Sequence, residues 1–120
     1  MAKTEEGKLE EAVSKYMSKK KIWQLARYQA QSNQNGLPDR LYLYKGYLLG
    51  LELKTDKGTP TRLQLKKLKA INDNGGIGVI IRDITSLDKL ITLLEGVNKS
   101  NDDVLKILKE MGLELIEEVN

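Results

Sequence analysis

Arg40-Leu41-Tyr42-Leu43-Tyr44-Lys45-Gly46-Tyr47-Leu48-Leu49-Gly50-Leu51-Glu52-Leu53 reads as a β-hairpin. Two runs rich in Leu and Tyr, Arg40 to Tyr44 and Tyr47 to Leu53, flank Lys45-Gly46, a two-residue turn of the kind that joins antiparallel strands. Both faces of the pair are largely apolar, which predicts a central position in a sheet covered on both sides. The turn also sets the register. With Lys45-Gly46 at its centre, Tyr44 faces Tyr47, and the same pairing carried outward places Asp39 opposite Glu52. Opposed residues share a face, with Cβ atoms about 4.5–5.5 Å apart. Lys54, two residues beyond Glu52, projects from that face as well. Asp39, Glu52 and Lys54 therefore converge. A three-residue loop would shift the pairing by one and separate the two carboxylates across the sheet.

Working outward, the polar segment Thr55-Asp56-Lys57-Gly58 is a loop, and Thr59 with Pro60 offers an N-cap and first helical residue for a second helix over about 60–73. Leu65, Leu68 and Ile71 give it a buried stripe, and Asn74-Gly75-Gly76 stops it. Ile77 to Ile81 is a short apolar strand that returns beside the hairpin through a right-handed crossover. Upstream, Leu9, Ala12, Val13, Tyr16 and Met17 mark one face of a first helix from Thr4 to about Lys20, with acids in its first turns and Lys19-Lys20-Lys21 at its end. Ile22 to Tyr28 reads as a short strand, and Ala30 to Pro38 as a loop. Ser86 to Glu95 and Asp102 to Met111 read as two further helices, the second stopped by Gly112. The order α-β-β-β-α-β-α-α predicts an α/β fold, a mixed sheet flanked by helices. The 120 residues suffice for one domain over 1–120, with a core over about 4–95 and a helical extension over about 96–120.

Composition narrows the chemistry. The chain has neither cysteine nor histidine, which excludes disulfides, thiolate nucleophiles, Ser/His/Asp catalysis and imidazole metal sites. Carboxylates, lysine, tyrosine and a hard metal held by oxygen remain. Apolar runs fall far short of the roughly 18 residues of a membrane span, and the polar, acidic start is unlike a signal peptide; a cytoplasmic location without a membrane partner is expected. Residues 1–69 carry 15 Lys and Arg against 7 Asp and Glu, whereas residues 70–120 carry 5 against 10. A first half with net charge +8 suits a polyanion, although a lysine-rich solvated surface has the same composition. Trp23 and the tyrosines read as core and rim residues. Gly75-Gly76-Ile77-Gly78 precedes a strand, so it is no dinucleotide fingerprint.

Two opposed carboxylates repel and raise one another's pKa unless a cation lies between them, and such a pair suits Mg²⁺ or Mn²⁺. Taken singly, Asp39 also reads as a turn residue and Glu52 with Lys54 as a surface ion pair. Gly36-Leu37-Pro38-Asp39 followed by Gly50-Leu51-Glu52-Leu53-Lys54 resembles the PD-(D/E)xK nuclease signature. The acidic first helix and Gln64 make it similar in particular to the virus-type replication-repair nuclease (VRR-NUC) branch, over about residues 6–82. The resemblance implies a restriction-endonuclease-like fold and a divalent-metal-dependent phosphodiesterase cutting DNA. Small stand-alone members, typically from phages and bacteria, resemble dimeric Holliday-junction resolving enzymes, so branched DNA, a homodimer and, for a phage protein, the host cytoplasm are the implied partners and place.

On that resemblance Asp39, Glu52 and the backbone carbonyl of Leu53 hold the metal, and Lys54 orients water or stabilises charge on the phosphate. Glu6 is the helix-one carboxylate, with Glu10 one turn along as its competitor, and Gln64 bonds near Lys54 or the phosphate. Arg62, Lys66, Lys67 and Lys69 on the second helix, with Lys19, Lys20 and Lys21, would contact the DNA backbone. Gln31 to Leu37 could touch the strand being cut. The apolar residues Val104, Leu105, Leu108 and Leu113 of the tail either pair two copies or cap the core. A non-catalytic nucleic-acid-binding module using the basic half is the alternative, and a structural partner protein using its tail helices a third.

Overall fold

The computed structural model describes residues 4–27 and 36–116. Its elements run α1 (Glu5–Lys19), β1 (Trp23–Arg27), β2 (Arg40–Tyr44), β3 (Tyr47–Leu53), α2 (Arg62–Asp73), β4 (Ile77–Ile81), α3 (Ile84–Gly96), α4 (Asn101–Glu110) and β5 (Glu114–Leu115). The five strands form one sheet in sequence order, β1-β2-β3-β4-β5. Only the β3–β4 pair is parallel; the others are antiparallel. This is an α/β mixed sheet, as the pattern predicts. Much of the loop over 30–38, including Gln31 to Asn35, lies outside the described residues.

The hairpin has the expected register. Tyr44 pairs with Tyr47 and Arg40 with Leu51. Lys45 (φ 53°) and Gly46 (φ 85°) both take left-handed backbone, the conformation that matches a two-residue turn to strand twist. Alternation then divides the sheet. Leu49, Leu51 and Leu53 join Ile77, Val79 and Ile81 in a core with Val13 and Met17 of α1 and Leu87, Leu90 and Leu94 of α3. The opposite face receives α2, closely enough that a Cβ on Gly50 would lie 2.5 Å from Ile71. Glu52 alternates with Leu51 and Leu53 and so belongs to the α2 face. Asn72 ties α2 to β4, accepting from the Gly78 amide at 2.6 Å. The fourth helix contacts α2 and β5.

Three expectations are corrected. The N-cap of α2 is Thr61, not Thr59, because Thr61 and Gln64 form a reciprocal capping box that satisfies two backbone donors, while Pro60 is buried ahead of it. A fifth strand, β5, follows Gly112 and pairs with β4; two residues are too few to show a period. Trp23 is 61% exposed, because it stands on the edge strand, beyond the reach of α2. Of the two readings of the tail, core capping is the one the structure shows: Val104, Leu108 and Leu113 are buried in this chain's own core, with Leu105 packed against it.

Candidate active site

The ladder brings Asp39 to the end of β2 alongside the end of β3, and the Leu53 amide donates to Asp39 Oδ2 at 2.9 Å. Asp39 is 5% exposed and Glu52 is fully buried. Lys54 follows directly, its amide extending the ladder to the Ile81 carbonyl at 3.1 Å. Its Nζ stands 3.7 Å from Glu52 Oε2, an ion-pair distance too long for a hydrogen bond. The three residues that sequence spacing predicts to converge do share one site.

As a carboxylate, Glu52 has no hydrogen-bond donor to either oxygen; with its proton kept it can donate to Asp39. Buried charge in that condition is expensive, and the carboxyl responds by holding its proton. Burial, then repulsion from Asp39, pushes the Glu52 pKa up to about 8, with Lys54 acting in the opposite direction. Asp39 is also pushed above the ordinary carboxylate range by burial, against the Leu53 hydrogen bond and the charge of Lys54. Two adjacent carboxyls, one with both oxygens orphaned, form a donor set that a divalent cation would complete. Leu53 enters this site through its backbone, between the two acids in the fold.

The helix-one acids stand differently. Among the described residues no three acidic side chains come together as a metal cage. The reason is topological: α1 packs against the Leu51 face of the sheet, whereas Glu52 belongs to the other. Glu6 is exposed. Glu10 is half-buried, with Oε2 3.9 Å from Nη2 of Arg40, and Arg40 in turn donates through Nη1 to the Asp39 carbonyl at 3.2 Å. Of the two candidates, Glu10 is therefore the one connected to the site. Arg40, 1% exposed, did not stand out in the sequence; the available signal was a charged residue at the alternate position of Tyr42 and Tyr44.

Gln64 stands at the start of α2, where its Oε1 accepts from the Thr61 amide at 2.8 Å. Its side chain thus has a capping task. The basic residues separate into two groups. Arg62 and Lys66 on α2, and Lys19 and Lys21 at the end of α1, are exposed. Lys69 pairs with Asp73 at 2.9 Å, Lys20 with Glu95 at 3.0 Å, and Lys67 lines an apolar groove with Leu41, Leu43, Leu48 and Ile71. Beyond Lys54, the loop Thr55-Asp56-Lys57 joins Glu5, Lys8 and Arg82 around an open cleft of about 450 Å³. Comparison of the chain with family models, curated proteins and solved structures gave no match.

Proposed function

We propose that the chain is a divalent-metal-dependent DNA endonuclease of the VRR-NUC kind, selective for branched substrates such as four-way junctions. The observation that carries this reading is Glu52, buried, with both oxygens orphaned, beside Asp39 and within ion-pair reach of Lys54. The 3.7 Å ion pair with Lys54 leaves those oxygens without a hydrogen bond, and a cation shared with Asp39 would supply the missing partner. Asp39, Glu52 and the Leu53 carbonyl would hold Mg²⁺ or Mn²⁺, which supplies Lewis acidity and an activated water to a chain without histidine. Lys54 is placed to neutralise charge developing on the phosphate. Because α1 lies on the other face of the sheet, its acid, Glu10 or Glu6, would take part only through water or a second metal, Glu10 being linked to Asp39 through Arg40. Gln64 caps the start of α2, and Arg62 and Lys66, exposed on α2, would hold the DNA backbone. Symmetric cutting of a junction calls for a two-fold homodimer.

The test is incubation of labelled four-way junctions, flaps and linear duplex with Mg²⁺, Mn²⁺ or chelator. Chelator-sensitive cleavage of the branched substrates is expected, and its absence on every substrate rejects the reading. Asp39→Asn and Lys54→Ala should lower cutting at least 100-fold while gel-shift binding persists. Salt-dependent binding with no cleavage would instead identify a nucleic-acid-binding module. Equilibrium sedimentation at micromolar concentration should show a dimer.

A further inference from the structure

Arg40 carries a second inference, on the face of the sheet opposite the carboxylate pair. Its guanidinium is buried beneath α1, yet Nε and Nη2 have no hydrogen-bond partner, and neither does the hydroxyl of Tyr42 two residues along the same face. The strand pairing adds an independent observation: Arg27 of β1 is directly opposed to Arg40 of β2, and Gln24 to Tyr42. Like charges directly opposed in a ladder are destabilising unless something neutralises them. Tyr42, Arg27 and Gln24 line a partly open cavity of about 270 Å³ whose other wall is Ser14 and Ser18 of α1. That is room for a tetrahedral oxyanion and several waters, at about 30 Å³ per water. Burial raises the pKa of the Tyr42 hydroxyl, and Arg40 and Arg27 both act on it in the opposite direction. The hydroxyl thus lies in the field of both cations. Glu10, 3.9 Å from Arg40 Nη2, and the Asp39 carboxyl, which feels the Arg40 charge, both bear on Arg40, so an anion in the cavity would answer chiefly to Arg27 and the Tyr42 hydroxyl.

We propose that Arg27 and Tyr42 form a phosphate-binding site under α1, with the buried Arg40 behind Tyr42 adding positive charge and Glu10 as the carboxylate that offsets it. Guanidinium forks suit phosphate oxygens, and the Tyr42 hydroxyl supplies a further donor. Because Arg40 Nη1 also holds the Asp39 carbonyl, a phosphate bound here is one residue removed along the backbone from the carboxylate pair. Assigning that phosphate to a nucleic acid rests on the nuclease reading; binding of the anion does not.

The experiment uses the full chain in chelator, without divalent metal, so that its outcome is separate from cleavage. Thermal unfolding is followed against inorganic phosphate and against chloride at equal ionic strength. Phosphate should stabilise the wild type saturably beyond chloride, as a ligand of the folded state must. Arg27→Gln, at an exposed position that does not threaten folding, should weaken the apparent affinity at least tenfold. Tyr42→Phe should weaken it severalfold, and Glu10→Gln should strengthen it. No response beyond chloride, or equal responses from wild type, Arg27→Gln and Glu10→Gln, would overturn the site. Gel shifts at fixed salt with one oligonucleotide, with and without a 5′-phosphate, identify the source. Preference for the phosphorylated strand that is lost in Arg27→Gln assigns a terminal phosphate. Equal binding of both strands, weakened by Arg27→Gln, assigns a backbone phosphodiester, and binding that the variant leaves unchanged counts against the proposal.

Discussion

Glu52 stores a conflict that the protein resolves with a proton when no cation is bound. In the folded chain its pKa stands at about 8, against an ordinary value of 4.5. Between those values the folded form keeps a proton that the unfolded chain has released. Unfolding then releases a proton, and metal-free stability falls as pH rises from about 4.5 to about 8, each pKa unit being worth at most about 1.4 kcal/mol. Asp39, also raised, acts with the same sign. Glu52→Gln, which stays neutral, should flatten this dependence and raise the melting temperature at pH 8 in chelator. Mn²⁺ should stabilise the wild type increasingly up to pH 8, because the cation displaces the proton, and should not stabilise Glu52→Gln. Thermal denaturation at several pH values measures both effects; an unchanged slope in the variant would place the titrating group elsewhere. The convergence of Asp39, Glu52 and Lys54 was legible because strand alternation and a two-residue turn turn spacing into distance. Burial of Arg40 was not, because it follows from where α1 lies over β2, a contact between segments far apart in sequence.

Among the elements, α2 shows how a helix start can be misplaced by two residues. Thr59-Pro60 offers a locally sound N-cap and first helical residue, yet the helix starts after Thr61. The choice falls to Thr61 because Gln64, three residues on, returns a hydrogen bond to the Thr61 amide, while the Gln64 amide bonds Thr61 Oγ1 at 3.1 Å. Thr61→Ala should therefore cost about 1 kcal/mol in urea unfolding. Gln64→Glu preserves the box, since Glu serves at that position equally well, and should leave stability within about 0.5 kcal/mol of the wild type. A loss of cleavage in Gln64→Glu without a loss of stability would show a second duty toward DNA, and parallel losses would limit Gln64 to capping. The two-residue β5 was not legible for a different reason. Glu114-Leu115 becomes a strand only because β4 offers it an open edge.

Across the molecule, the division into a basic and an acidic half is less a separation than a pairing. Lys20 at the end of α1 bonds Glu95 of α3, and Arg82 beyond β4 bonds Glu114 of β5 at 2.8 Å. The first pair is solvent-exposed and contributes little. Arg82 differs because its Nη1 also donates to the carbonyls of Thr55 and Gly58, at 2.6 and 2.9 Å. One guanidinium thus clamps the loop that follows Lys54 to the last strand, linking three segments that are remote in sequence. Hydrogen bonds to a charged group are worth roughly 1.5–3 kcal/mol net, and partial exposure of Arg82 lowers its share. Arg82→Ala should cost about 1–2 kcal/mol in urea unfolding and speed hydrogen exchange over residues 54–58. Glu114→Gln keeps both carbonyl bonds and should speed that exchange far less. If Lys54 acts on a phosphate, loosening its loop should lower kcat more than it raises KM in Arg82→Ala. Equal exchange in the two variants would show that the ion pair, rather than the carbonyl clamp, holds the loop.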